Sequence, residues 1–238
     1  MQIIDIHTHI YPTKIARKAT ESVRDFYQLE GSVEMDGTVD MLLKRGDEAG
    51  IDHFVVLPVS NGPAHVRSIN NFILEQTKTH DNFIGFGTVH AAMENIEEEV
   101  DRILSAGLKG IKMHPDSQRF NIDDERLFPV YDAIRGRIPV LLHMGDQRYN
   151  YSHPLRLRRI LEMFPRLEVI AAHFGGWMTW NIARRCLADL DNVYYDTSST
   201  YGFGGIEPMK EGFKTFDNTH LFYGCDYPMW DHKDELDV

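Results

Sequence analysis

Apolar, β-branched runs recur along the chain at fairly regular intervals: QIIDI (2–6), HFVVLPV (53–59), FIGFGTV (83–89), LKGIKM (108–113), IPVLLH (138–143), LEVIAAH (167–173), NVYYDTS (192–198) and HLFYGCD (220–226). Several are apolar throughout rather than alternating, as strands of a buried parallel sheet are. The segments between them carry helical spacing. In ENIEEEVDRILSAG, Ile96, Val100, Ile103 and Leu104 form a stripe behind an acidic first turn, and Gly107 stands at the stop. DDERLFPVYDAIRG offers Asp123 or Asp124 as a cap and closes at Gly136, and HPLRLRRILEMFP runs from Pro154 to Pro165, where helices tolerate proline. The order is strand, helix, strand, helix, with eight strand candidates. This predicts an α/β fold, a single (β/α)8 TIM-type barrel, ahead of an open doubly wound sheet.

Two irregularities qualify that plan. Residues 11–36 lie between the first strand and the helix of TVDMLLKRGDEAG, and in a barrel such an insertion would overhang the mouth. The chain also stops at DHKDELDV, soon after the eighth strand, so the barrel is expected to end in a short or missing C-terminal helix, or the natural chain to run past Val238. At 238 residues the length suits one barrel, and no Pro/Gly/Ser-rich linker divides it, so 1–238 is expected to be one domain.

A net charge of −11 opposes a polyanionic partner. Arg156, Arg158 and Arg159 form the densest basic cluster and fit the polar face of a short helix better than a nucleic-acid patch. No apolar run approaches the ~18 residues needed to span a membrane, and MQIIDIHTHI lacks the basic start of a secretory signal. A cytoplasmic protein with Cys186 and Cys225 as free thiols is expected. Nothing fixes the oligomeric state; a homodimer is the class expectation.

The chemistry collects at strand ends. In a barrel these face the active site. His7 and His9 follow the first strand on one face, Lys112 and His114 end the fourth, His143 the fifth, His173 the sixth and Asp226 the eighth. One histidine at a strand end is usually a satisfied structural residue. Five with a carboxylate, at five strand ends, point to one divalent-metal site. Asp226 could take a proton from a metal-activated water, and His173 could exchange one with the substrate. Gly175 and Gly176 would let backbone approach a ligand, while Trp177 and Trp230 serve equally as pocket walls or as packing. His53, His65, His80, His90, His153, His220 and His232 share no face with this set, although His232 could line the mouth. Cys225 should point away from the site.

In order, IDIHTH, GIKMHPDSQRF, VLLHMGD, AAHFGGW and YGCDYPMW resemble the amidohydrolase superfamily, most closely the amidohydrolase-related branch with the aminocarboxymuconate-semialdehyde decarboxylase relatives. The resemblance runs from Ile4 to Trp230. It implies a distorted barrel holding one divalent metal, zinc first, with manganese or iron as alternatives. It implies His7, His9, His143 and Asp226 as metal ligands, Asp226 also as a catalytic residue, His173 as the catalytic acid–base, and His114 as a substrate contact. Lys112 matches the position where binuclear members carry a bridging carboxylated lysine; a substrate contact in a mononuclear site is the expectation here. The short C-terminus departs from the family. The function expected is a metal-dependent hydrolase of a small, carboxylate-bearing molecule, with non-oxidative decarboxylation as the alternative. TatD-like nucleases share His-x-His and a late Asp-x-Pro, but LKGIKMHPD lacks their glutamate. A non-catalytic metal-binding relative is the remaining reading.

Overall fold

A computed structural model describes residues 2–30 and 34–237; Met1, residues 31–33 of the long first insertion, and Val238 lie outside the described residues. The strands are β1 (Ile4–Thr8), β2 (His53–Val56), β3 (Phe83–Gly85), β4 (Gly87–Thr88), β5 (Ile111–Met113), β6 (Val140–Leu142), β7 (Val169–Ala171), β8 (Val193–Asp196) and β9 (Leu221–Phe222). The helices are α1 (Ala16–Tyr27), α2 (Val39–Ala49), α3 (Val66–Thr79), α4 (Ile96–Ser105), α5 (Pro115–Gln118), α6 (Phe128–Ile134), α7 (Pro154–Met163), α8 (Trp180–Leu187), α9 (Thr200–Gly204), α10 (Ile206–Thr215) and α11 (His232–Leu236). All strand pairs are parallel, β1-β2-β3 in one sheet and β4 through β9 in a second.

Among the described residues the eight apolar runs therefore become nine strands; the first keeps its length but lies two residues further on, and the others are shorter than their sequence extents. FIGFGTV divides at Phe86, whose N–H turns to Val56 O (3.2 Å) while Gly87 N–H goes to Gly110 O (2.9 Å). One run thus serves both sheets at that seam. At the other seam Ile6 N–H donates to Tyr223 O (3.0 Å), and Thr8 bridges Tyr227 in parallel. The sheets meet at both seams through individual backbone bonds rather than a continuous ladder.

The core has two parts. Val55, Leu57, Phe86, Leu141, Ile170 and Ala172 form one buried cluster. A much larger one joins strand residues such as Val56, Ile111 and Val140 to helix residues such as Leu42, Ile73, Val100 and Ile160. The first fits the barrel interior and the second the layer between strands and helices. Local signals fix the ends of α2. Thr38 caps α2 by accepting from Met41 N–H (3.3 Å), and Gly50 ends it left-handed at φ 74°. Gly46 inside α2 is a packing requirement, because a Cβ there would lie 2.2 Å from Phe54 Cζ. The basic cluster is indeed a helix face: Arg156 and Arg159 of α7 pair with Asp123, and Arg158 with Asp189. α11 has five residues.

Candidate metal and active site

The strand ends assemble the site through tautomers fixed by their surroundings. His7 Nδ1 lies 2.8 Å from Asp196 Oδ2, so Nδ1 carries the proton and Nε2 a lone pair. His9 Nδ1 lies 2.7 Å from Leu57 O, a carbonyl that only accepts, which fixes the same tautomer. Both unprotonated Nε2 atoms face Asp226 Oδ1, at 3.5 and 3.4 Å. Burial, together with nearby Lys112, pulls His7 down to about 4, so it is neutral near pH 7. Burial alone would raise the Asp226 carboxyl, but the imidazoles of His7, His9 and His173 hold it well below its usual range. Three electron-rich atoms within 4.8 Å of one another, with no hydrogen to share, fit a divalent cation.

Lys112 is fully buried, and its Nζ donates to His7 Nε2 at 3.1 Å. Burial lowers it to about 8, partly offset by Asp226 and Asp196. The lone pair a metal would use is thus the one this amine uses, and the two uses exclude each other.

His143 and His173 form a second pair. His173 Nδ1 lies 2.9 Å from Ser198 O, and its Nε2 lies 2.9 Å from His143 Nδ1. His143 stacks on His114 with ring centroids 3.9 Å apart. His143 Nε2 is buried without a hydrogen-bond partner among the described residues and lies 3.9 Å from Asp116 Oδ2. Burial raises Asp116 to about 7. His143 thus groups with His114 and Asp116, beside the trio of His7, His9 and Asp226 rather than within it. Burial keeps His114, His143 and His173 below the usual imidazole range.

Trp230 reaches the trio through a relay: its Nε1–H donates to Ser199 Oγ (2.9 Å), which donates to Asp226 Oδ2 (2.5 Å). Trp177 is buried, edge-on to Tyr27 at 5.1 Å and Phe203 at 5.0 Å. Asp226 (φ 67°) and His173 (φ 61°) hold left-handed backbones, which side-chain-bearing residues adopt infrequently.

Sequence reading passed over Asp196, Ser199, Asp116 and Tyr27. Asp196 ends β8 just as His143 follows β6, so the strand-end signal that found the histidines was present there too. Tyr27 had no such signal, because it arrives from α1. Its hydroxyl lies 2.7 Å from His114 Nε2 and 3.3 Å from His143 Nδ1, so the first insertion does overhang the mouth. His232 does not line the mouth. It is fully buried, with Nδ1 2.9 Å from Asp5 Oδ2, and Cys225 lies in the same group, apart from the trio of His7, His9 and Asp226. Burial behind α2 and β1, which the local sequence does not show, overrides its place in the eighth loop.

Several solved structures share this fold. An uncharacterized TIM-barrel protein from Bordetella bronchiseptica is 19% identical, with 100% of this chain and 90% of that one covered and a TM-score of 0.80. A 2,6-dihydroxybenzoate decarboxylase complexed with 2,6-dihydroxybenzoate is 16% identical, covering 100% and 92%, with a TM-score of 0.73. A dihydroxybenzoic acid decarboxylase from Polaromonas sp. JS666, with bound manganese and 2-nitroresorcinol, is 14% identical, covering 100% and 91%, with a TM-score of 0.73. At these identities the likeness shows a TIM-barrel fold. Among the described residues no helix is long and apolar enough to cross a membrane. The amidohydrolase family model matches residues 4–238, nearly the whole chain, and the chain belongs to that family.

Proposed function

We propose that the chain is a metal-dependent hydrolase of a small, carboxylate-bearing substrate, with His7, His9 and Asp226 holding one divalent ion and His143 adjoining them. One observation carries the reading: the lone pairs of His7 Nε2 and His9 Nε2 converge on Asp226 Oδ1, while each opposite nitrogen is anchored by Asp196 or Leu57 O. A bound ion, zinc first, with manganese or iron as alternatives, would supply Lewis acidity and an acidified water. Asp196 and Leu57 O hold the imidazoles in the ligating tautomer. His173, neutral and anchored at Nδ1 on Ser198 O, keeps Nε2 available for a proton it shares with His143 Nδ1. Trp177, Phe203 and Tyr27 exclude water from the side of His143. His114, Lys112 and Trp177 are the substrate contacts of this reading, and Trp230 steadies Asp226 through Ser199. The charge of −11 supports a small molecule over nucleic acid.

Decarboxylation is the second reading. The stacked His114 and His143 rings beside Trp177 offer flat aromatic faces suited to a planar ring, and two of the similar solved structures are decarboxylases of dihydroxybenzoates. The test is a panel of small carboxylates in ¹⁸O-labelled water with the zinc- and manganese-loaded protein. Label entering the product supports hydrolysis, and carbon dioxide release supports the carboxy-lyase. Turnover unaffected by chelation would sink both. His173→Ala should keep the metal and lose turnover by about 10²-fold or more; loss of the metal instead would reassign His173.

A further inference from the structure

The proton positions around Tyr27 leave a donor unused. Ser117 N–H donates to His114 Nδ1 at 3.3 Å, so in neutral His114 the proton sits on Nε2. That Nε2–H donates to the Tyr27 oxygen at 2.7 Å. The phenol's own hydrogen must then point elsewhere. The next nitrogen, His143 Nδ1 at 3.3 Å, is beyond the usual range for an O–H donor and already gives its own proton to His173 Nε2, so it cannot accept.

A second unused donor stands beside it. Trp177 Nε1 is buried without a hydrogen-bond partner among the described residues, in a side chain only 5% exposed. Its ring lies 5.1 Å from that of Tyr27 and 6.4 Å from that of His143. Native proteins seldom leave a buried N–H unpaired, and a ligand acceptor is one recurrent reason. Arg148 holds the arrangement together. Its guanidinium packs over the rings of Phe26, Tyr27 and Trp177, pairs with Asp146, and donates to Phe26 O at the end of α1. Tyr27 is therefore fixed over the mouth by the barrel and not only by its own helix.

We propose that Tyr27 contacts substrate: its O–H and the Trp177 indole N–H together form a subsite for an acidic oxygen of the bound molecule. This rests on the reading of the barrel mouth as a carboxylate site and names the groups that would recognise the carboxylate. Two donors on neighbouring rings, with centroids 5.1 Å apart, suit one carboxylate, and neither makes a competing bond that would have to be broken first. A phenol stays protonated far above neutral pH, so this donor does not titrate away under working conditions.

The test is benzoate binding to zinc-loaded protein by calorimetry, with benzyl alcohol as the neutral control, in wild type, Tyr27→Phe and Trp177→Phe. Benzoate affinity should fall about tenfold or more in each variant, as expected when one hydrogen bond to a charged group is lost. Benzyl alcohol affinity should hardly change. In wild type the indole N–H resonance absent from Trp177→Phe should move downfield on adding benzoate. Benzoate bound equally well by Tyr27→Phe, bound no better than benzyl alcohol by wild type, or bound without moving that resonance would overturn the subsite. If Tyr27→Phe fails to fold, Trp177→Phe and the indole resonance decide. Zinc content separates the two levels: Tyr27→Phe should hold as much zinc as wild type, whereas wild type holding none overturns the metal reading and the subsite with it.

Discussion

Asp196 decides how the site's first histidine behaves. It accepts from His7 Nδ1 and also from the His173 backbone N–H, so one carboxylate orients both residues. Asp196→Ala should therefore weaken metal binding by about 10- to 100-fold, as loss of an outer anchor does elsewhere. Competition with a coloured chelator measures it, and an unchanged dissociation constant would mean the tautomer is fixed by other means. Asp196 also shows how far the sequence carries at this scale. Residue types at strand ends identified His7, His9, His143, His173 and Asp226, because strand periodicity is local information. Which nitrogen faces which acceptor is set by contacts between β1 and β8, nearly 190 residues apart in the chain, and no local pattern records it.

Elements were legible where one local signal governed each. Thr38 and Gly50 bound α2, and Pro154 opens α7 as its sequence indicates. The division of residues 83–89 at Phe86 was not legible, because it depends on Val56 and Gly110 pairing on either side. The role of α1 was hidden for the same reason: its amphipathic run shows that it packs, not that Tyr27 ends between two histidines. Gly46 is a case where the local rule misleads. Alanine is the better helix former by ~1 kcal/mol, yet a Cβ there meets the Phe54 ring, which is 1% exposed and has nowhere to move. Gly46→Ala is predicted to destabilise the protein by about 2 kcal/mol, a fall in Tm of about 4–8 °C. Thermal unfolding checks it, and a raised Tm would show that α2 can slide off β2.

At the scale of the whole molecule, acidity meets burial beside α11. Glu235 is buried, and burial with the nearby Asp226, Asp5 and Asp234 carboxylates raises it to about 8 from an ordinary 4.5. The folded protein thus holds a proton there that the unfolded chain releases between pH 4.5 and 8. Glu235 contributes its full stability below about 4.5 and loses it as pH rises toward 8. Glu235→Gln, neutral at every pH, is predicted to gain about 4 kcal/mol over wild type at pH 8 and almost nothing at pH 4.5. Urea unfolding at the two values measures this, and an equal gain at both would mean packing rather than ionisation is responsible.

The central claim is that His7, His9 and Asp226 converge because they hold a metal. Elemental analysis of untagged wild type beside His7→Ala and His9→Ala tests it most directly. The account predicts one divalent ion per chain in wild type, lost from both variants while their circular dichroism stays native. An ion retained by both variants, or a wild type that takes up neither zinc nor manganese, would contradict it.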